Sequence, residues 1–191
     1  MSTRATYLFQ DDRNQNICFY IHSDGYPEES WHYFLNMYNC KIEKAGFAGR
    51  FFRGNESAEF CGSVQEYDGA VEYFYTLKNN GRLIVKHSRF VEKDRKVELV
   101  FDGQWYEFVN EYSNDEVKLY FFKRDEEAHD GFVMTLADAH HAALVEIDES
   151  YLMGEKGFAG ASKKMYREAS YILQQINSFR LNANNSVAQS N

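Results

Sequence analysis

Two patterns of apolar residues follow one another at the start of this chain of 191 residues. Residues 6–9 and 17–22 have strand-like composition and are separated by a polar loop, which predicts a β-hairpin. Apolar side chains then recur at i, i+3, i+4 and i+7, as on one face of a helix: Trp31, Phe34, Leu35 and Tyr38. Pro27, the only proline, suits the first helical turn, where its missing N–H would have no partner. We therefore predict a hairpin that turns sharply into a helix.

The middle of the chain predicts more strands. Residues 41–57 are punctuated by glycines and are expected to be irregular. Asp68-Gly69 is a dipeptide typical of a tight hairpin turn. The predicted strands of this region are four segments: 62–67, 70–77, 82–90 and 97–101. Together they indicate an antiparallel meander.

Helical spacing returns in the second half. It is found at Trp105, Phe108, Val109 and Tyr112, and again at Leu136, Ala139, His140, Ala143, Leu144 and Ile147. We expect Asp102 to cap the first of these helices, and a strand at 116–123 to follow it. A third helix is predicted from Ser162 to Phe179, after a loop at 154–160.

The predicted fold class is α+β, an antiparallel β-sheet meander with a helix after the second strand and two C-terminal helices. We expect a single domain over residues 1–181, with a helical lobe at 136–181, because the length suits one core. The Asn- and Ser-rich residues 182–191 have little to bury and are predicted to be disordered.

Charge narrows the classes of partner. The formal net charge is −8 and the pI is about 5.3, so we expect no direct nucleic-acid binding and no membrane binding, both of which favour basic surfaces. No apolar run reaches transmembrane length, and the polar start Met1-Ser2-Thr3-Arg4 lacks the apolar core of a signal peptide. A cytoplasmic location is expected.

No residue spacing predicts a metal or a cofactor. The three cysteines, Cys18, Cys40 and Cys61, match no zinc motif and are expected to be buried free thiols. His140 and His141 are adjacent, and adjacent side chains on a helix point about 100° apart, so they do not suit one ion. We expect neither metal nor cofactor.

The turn before the helix and the glycine-rich segment supply six candidate binding residues: His22, Asp24, Tyr26, Arg53, Asn55 and Glu59. A carboxylate, an imidazole and a guanidinium brought together could bind an anion or transfer a proton. Candidate catalytic residues are Asp24, Arg53 and Ser2, whose α-amine would be freed by removal of Met1. The same residue types also serve as turn caps and ion-pair partners, so catalysis stays open, with the balance against it.

Acidic residues cluster in the second half of the chain. The candidates for an acidic interface are Glu107, Glu111, Asp115, Glu116, Asp125, Glu126, Glu127 and Asp130. A solvated face is the simplest interpretation. An ordered array of carboxylates can instead imitate a phosphate backbone and occupy a basic groove of another protein. Aromatic residues make up 17% of the chain, a composition that suits an interface as well as a core.

Four segments carry a resemblance to known sequences. They are the N-terminal S-T-R-A-T-Y at 2–7, H-S-D-G-Y-P-E at 22–28 within a longer match from 19, Tyr33-Phe34, and F-R-G-N-E-S-A-E at 52–59. In these segments the chain resembles a group of small uncharacterised proteins from bacteria, phages and conjugative elements. It departs from that group at Glu29-Ser30, where small residues are expected. The resemblance implies an accessory role on a mobile element, such as counter-defence.

Three functional hypotheses follow. The first is a non-catalytic acidic binding or inhibitor protein that occupies a surface of a host protein, such as a nucleic-acid-binding restriction or CRISPR effector. The second is a small enzyme or ligand-binding domain with a pocket around Asp24, Tyr26 and Arg53. The third is a structural component in which the turn only determines the fold. The sequence leaves the oligomeric state open.

Overall fold

The computed structural model describes residues 3–10, 15–40, 46–62, 71–91, 94–113, 117–125, 127–128, 131–155 and 159–188. The chain divides into two compact units, Met1–Val117 and Lys118–Asn191. Each unit has its own sheet and its own helices. The fold is mixed α+β with mostly antiparallel sheets, and the described residues form five helices. The single domain over 1–181 stays a prediction.

The first unit is built on a six-stranded sheet with three helices. Its elements are β1 (Ala5–Gln10), β2 (Asn16–Ile21), α1 (Pro27–Asn39), α2 (Phe47–Gly54), β3 (Glu59–Cys61), β4 (Tyr73–Lys78), β5 (Arg82–Val91), β6 (Asp94–Gln104) and α3 (Trp105–Tyr112). The strand order is β3-β2-β1-β4-β5-β6. The predicted hairpin of the first two strands is confirmed, with Tyr7 opposite Phe19.

The sheet as a whole is not a simple meander, although β4, β5 and β6 are consecutive antiparallel neighbours, as predicted for that region. β4 does not continue from β3 but lies beside β1 and runs parallel to it, with Tyr7 opposite Tyr75. A meander that started at β1 would leave that strand at the edge of the sheet. Residues Ala5, Thr6 and Tyr7 are all buried, however, so side chains on both faces of β1 are covered, as in a central strand.

The segment predicted to be irregular contains helix α2. Its glycines disfavour a helix, but Phe51 is fully buried and its ring packs 4.9 Å from the rings of both Tyr7 and Phe9. Gly54 is needed at the end of α2, because a Cβ there would lie 2.6 Å from the carbonyl oxygen of Asn36 in α1. Tertiary packing therefore outweighs the local propensity.

Strand β3 was not predicted from the sequence. It pairs with β2 so that Cys18 lies opposite Cys61. The strand expected at 62–67 does not begin at Gly62, which follows the end of β3 in a bend. The rest of that strand and the Asp68-Gly69 turn lie outside the described residues.

Helix α3 begins at Trp105, but Asp102 does not cap it. Gln104 is the N-cap, and its N–H donates to the Glu107 carboxylate at 2.7 Å in a capping box. Asp102 belongs to β6, where its two carboxylate oxygens accept hydrogen bonds of 2.7 Å from Arg82. The cap prediction was wrong because β6 continues two residues beyond Asp102.

The second unit pairs a β-hairpin with two long helices. Its elements are β7 (Tyr120–Lys123), β8 (Gly131–Met134), α4 (Leu136–Glu155) and α5 (Ala159–Ala188). The core contains Phe122, alanines of both helices and, in α5, Ile172 and Ile176. Helix α5 enters the segment predicted to be disordered and ends at Ala188. None of the described helices combines the length and the apolar character that a membrane span requires.

Candidate functional site

The turn between β2 and α1, here called the corner (residues 22–27), has a constrained backbone. Asp24 has a φ of 57°, in the left-handed region that few residues other than glycine adopt. The N–H of Gly25 donates to the carbonyl of Thr3 at 3.0 Å. A Cβ at Gly25 would lie 2.7 Å from the Cβ of Ala5, so only glycine fits against the start of β1. Pro27 then begins α1 with Tyr26 as its N-cap.

Two buried tyrosines hold the inner side of the corner. The Tyr7 hydroxyl is hydrogen bonded to Oγ of Ser30 at 2.9 Å, and that serine donates to the carbonyl of Asp24 at 3.2 Å. The Tyr75 hydroxyl donates to the carbonyl of Gly25 at 2.8 Å. Burial raises the pKa of Tyr7 and of Tyr75 well above the usual range, so both phenols stay protonated.

The outer side of the corner brings together two of the predicted site residues. Nε2 of His22 lies 3.6 Å from Oε1 of Glu59, and both side chains are more than half exposed, at 63% and 59%. Nδ1 of His22 is 3.4 Å from the Tyr20 hydroxyl. Tyr33 donates from its hydroxyl to the carbonyl of Ser23 at 3.3 Å. The result is an exposed imidazole and carboxylate beside the buried Tyr20 and the half-buried Tyr33.

Asn55 is buried and has an internal role. Its Nδ2 donates to the carbonyls of Tyr33 at 3.1 Å and Phe51 at 2.9 Å, and its Oδ1 accepts from Nδ2 of Asn36 at 3.0 Å. These bonds join the end of α2 to the middle of α1. Both N–H groups of the Asn55 amide are used, so they are not offered to a ligand.

Of the candidate catalytic residues, the structure describes Asp24 and Arg53, and it shows no pairing between them. Arg53 is exposed on α2, and within the described part of the chain no hydrogen bond or ion pair joins it to Asp24. Ser2 lies outside the described residues. The carboxylate and guanidinium pair on which the second hypothesis depends is therefore not formed in the structure.

Tyr33 belongs to the outer side of the corner, although the sequence reasoning did not select it. Burial raises the pKa of Tyr33, and the Asp24 and Glu29 carboxylates raise it further. A hydrogen bond with Ser57 lowers this pKa but does not cancel the increase. Tyr33 follows Tyr26 by seven residues, a spacing that returns to the same face of a helix. That spacing is the signal that could have found it.

The predicted acidic interface is only partly described. Glu107 serves as a capping residue of α3, and Glu111 is hydrogen bonded to Tyr112 beside it. In the second unit Asp125 accepts the N–H of Glu127 at 3.0 Å. The other four candidates lie outside the described residues: Asp115, Glu116, Glu126 and Asp130. Because the described four belong to different units, one shared face stays a prediction.

A different group of carboxylates and phenols meets in the first unit, at the start of α1. We call it the acidic tyrosine surface and define it as Tyr26, Glu28, Glu72, Tyr73, Glu111 and Tyr112. Burial and nearby carboxylates raise the pKa of all three phenols, and Glu28 acts on each of them. Since the three tyrosines come from the corner, β4 and α3, no local pattern in the sequence reveals this group.

Stacked rings support this surface from below. Tyr73 lies between His87, whose ring is 4.5 Å away, and the buried Tyr75 at 6.5 Å. The ring of Tyr112 is 4.7 Å from that of Phe108, which in turn lies 5.9 Å from Tyr75. The half-buried rings of Tyr73 and Tyr112 are thus fixed to the core of the unit, which limits the conformational entropy lost on binding.

No group of residues suited to holding a metal ion occurs in the described ranges, and His140 and His141 are part of none. Comparisons with protein-family models, with curated proteins and with solved structures give no match. A function can therefore be inferred only from the sequence and geometry of the chain itself.

Proposed function

We propose that this protein is a non-catalytic binding or inhibitor protein, which covers a basic surface of a host protein with its acidic tyrosine surface. One observation carries the proposal. Glu28 acts electrostatically on three phenols, which come from the corner, β4 and α3, and every other charged group that shifts their pKa is a carboxylate or a neighbouring phenol. The surface is therefore anionic and aromatic together.

Such a surface suits arginine-rich and lysine-rich partners. Its phenols have raised pKa values and stay protonated near neutral pH, so they offer hydrogen bonds and ring faces, while the carboxylates supply charge. Guanidinium groups bind carboxylates in bidentate geometry and also stack on aromatic rings. The net charge of −8 adds long-range attraction toward a basic partner.

The raised pKa values also weigh against catalysis by these tyrosines. A phenol that acts as a base or nucleophile needs a lowered pKa, and the shifts are in the opposite direction. The enzyme hypothesis is further weakened because the Asn55 amide is used in internal hydrogen bonds. Among the described residues, Arg53 also forms no ion pair with Asp24.

The proposed setting is the cytoplasm of a bacterial host. The resemblance to proteins of phages and conjugative elements supports a role in counter-defence. A restriction or CRISPR effector holds nucleic acid in a basic channel, and a rigid array of carboxylates can compete for that channel. The partner is accordingly proposed to be a nucleic-acid-binding defence protein.

Affinity capture from a host lysate tests the proposal. The wild-type chain should retain a basic, nucleic-acid-binding protein, and raising the salt concentration should weaken the complex. The double substitution Glu28→Gln with Glu72→Gln should reduce capture about tenfold or more, because it removes two carboxylates from the acidic tyrosine surface. The matched control, Glu56→Gln with Glu149→Gln, removes the same charge from exposed residues outside every candidate surface and should bind like the wild type. Equal loss in both variants would refute the assignment of the surface.

A further inference from the structure

Strand β6 forms the outer edge of the described six-stranded sheet. It has 11 residues and pairs with β5 on one side only. Val97 and Leu99 are 55% and 62% exposed, which is unusual for large apolar side chains in a strand. Their cross-strand neighbours Ser88 and Lys86 place both on the sheet face opposite the Tyr7 and Tyr75 rings. This edge is long and carries two exposed apolar side chains on one face, and no further strand pairs with it among the described residues.

The hydrogen-bonding direction along β6 follows from its neighbours. The N–H of Ser88 donates to the carbonyl of Glu72 at 2.7 Å, on the β4 side of β5. Because successive residues of a strand point their backbone groups to opposite sides, His87 and Arg89 face β6. Their partners there are Glu98 and Lys96.

The backbone groups of the intervening residues consequently point out of the sheet. Val97 and Leu99 are two of these residues. They form a row of outward N–H and C=O groups, which is the template for adding another strand. Beyond Leu99 the register with β5 shifts by one residue, which ends the regular part of the edge.

The sequence of this edge complements itself. If a second β6 runs antiparallel with Val97 opposite Val97, then Lys96 faces Glu98 on both sides of the symmetry axis. Opposite charges that face each other across strands stabilise the pair. Glu98 is already held by Arg89, whose Nη2 is 2.6 Å from its carboxylate, so its side chain is in place for Lys96 of the second copy.

We propose that β6 is a homodimerisation edge, on which a second copy of this chain pairs antiparallel about Val97. The two sheets then join into one, with backbone bonds exchanged between Val97 of one copy and Val97 of the other. The exposed Val97 side chains lie side by side across the joint, and Leu99 of each copy faces Arg95 of the other. An isologous contact of this kind closes at two copies. It uses a surface separate from the acidic tyrosine surface.

Sedimentation equilibrium of the full chain over a wide concentration range tests the proposal. The wild type is expected to be a reversible dimer. Val97→Pro removes an N–H that points out of the sheet and leaves the backbone hydrogen bonds between β6 and β5 in place. The fold should therefore persist, while dimerisation weakens about tenfold or more. Val97→Ala keeps that N–H and should retain most of the affinity. Circular dichroism establishes that each variant is folded.

A charge-swap series checks the register without proline. Lys96→Glu and Glu98→Lys each place like charges opposite each other and should weaken the dimer about tenfold. The double variant restores opposite pairs and should recover the affinity. A wild type that stays monomeric at every concentration would overturn the proposal. This outcome would also be seen if the edge pairs with a strand of another protein and not with a second copy of this chain. A double variant no tighter than the single ones would overturn the proposal as well.

Discussion

The ring of Tyr7 lies almost parallel to the ring of Tyr75, with centroids 4.7 Å apart and planes 8° from each other. The two residues stand opposite each other on the parallel strands β1 and β4. Their hydroxyl groups reach the same turn through Ser30 and Gly25. The parallel pairing of β1 with β4 therefore places the two hydroxyl groups that stabilise the corner.

Tyr75→Phe should lower the free energy of unfolding by about 1–3 kcal/mol, because it leaves the carbonyl of Gly25 without its buried donor. Chemical denaturation followed by circular dichroism measures this change. Tyr73→Phe is the matched control, since Tyr73 is only half-buried and no hydrogen bond of its hydroxyl occurs among the described residues. Equal effects of the two variants would contradict the role of the Tyr75 hydroxyl.

Gly25→Ala should destabilise the protein by about 1–3 kcal/mol through overpacking, since the new methyl group would meet Ala5 at 2.7 Å. Gly46→Ala tests the same substitution where no atom lies within 4 Å of the new Cβ, and it should have little effect on stability. Thermal unfolding of both variants gives the comparison. A corner that tolerates alanine as well as position 46 would refute the close approach to β1.

Stability should decrease in alkaline solution. The pKa of Tyr7 and of Tyr75 is raised in the folded state, so the folded protein keeps protons that the unfolded chain releases above about pH 10. Their contribution is complete below that pH and is lost as the pH rises. Above about pH 10, each of the two tyrosines should lower the free energy of unfolding by about 1.4 kcal/mol per pH unit. Denaturation between neutral and alkaline pH measures the slope, and Tyr75→Phe should reduce it.

Asp24→Gly separates a structural role of the corner from a binding role. Glycine adopts the φ of 57° without strain, so the variant should be at least as stable as the wild type. It also removes a carboxylate that raises the pKa of Tyr26, so binding of a basic partner should weaken. Asp24→Ala, which keeps the strain, should unfold more readily than Asp24→Gly by about 1 kcal/mol. Unchanged binding by a stable Asp24→Gly variant would assign Asp24 to the fold alone.

The sequence predicted the parts of the fold that depend on short-range pattern. The hairpin follows from strand-like composition on both sides of a polar loop, and the start of α1 follows from Pro27 and the apolar spacing that includes Trp31. Helix α2 was missed because its glycines disfavour a helix locally, whereas burial of Phe51 is a tertiary effect. The pairing of β1 with β4 joins segments more than sixty residues apart, and no local pattern encodes it.

The site could be predicted less well than the fold. His22 and Glu59 do meet, as proposed for a binding group, since β2 and β3 are neighbours in the sheet. Asn55 was chosen for its polar side chain, but burial turned that side chain inward to carry backbone bonds. Tyr73 and Tyr112 were missed because only the folded chain brings them to Glu28.

The parallel contact between β1 and β4 also fixes an order of events during synthesis. A nascent chain that ends before Tyr73 contains β1 and β2 but none of the residues that cover the other flank of β1. Until β4 leaves the ribosome, the hairpin exposes a bare strand rich in aromatic residues, the kind of surface that chaperones bind and that aggregates form on. Fragments cut short in this region should therefore depend on chaperones far more than the complete first unit does.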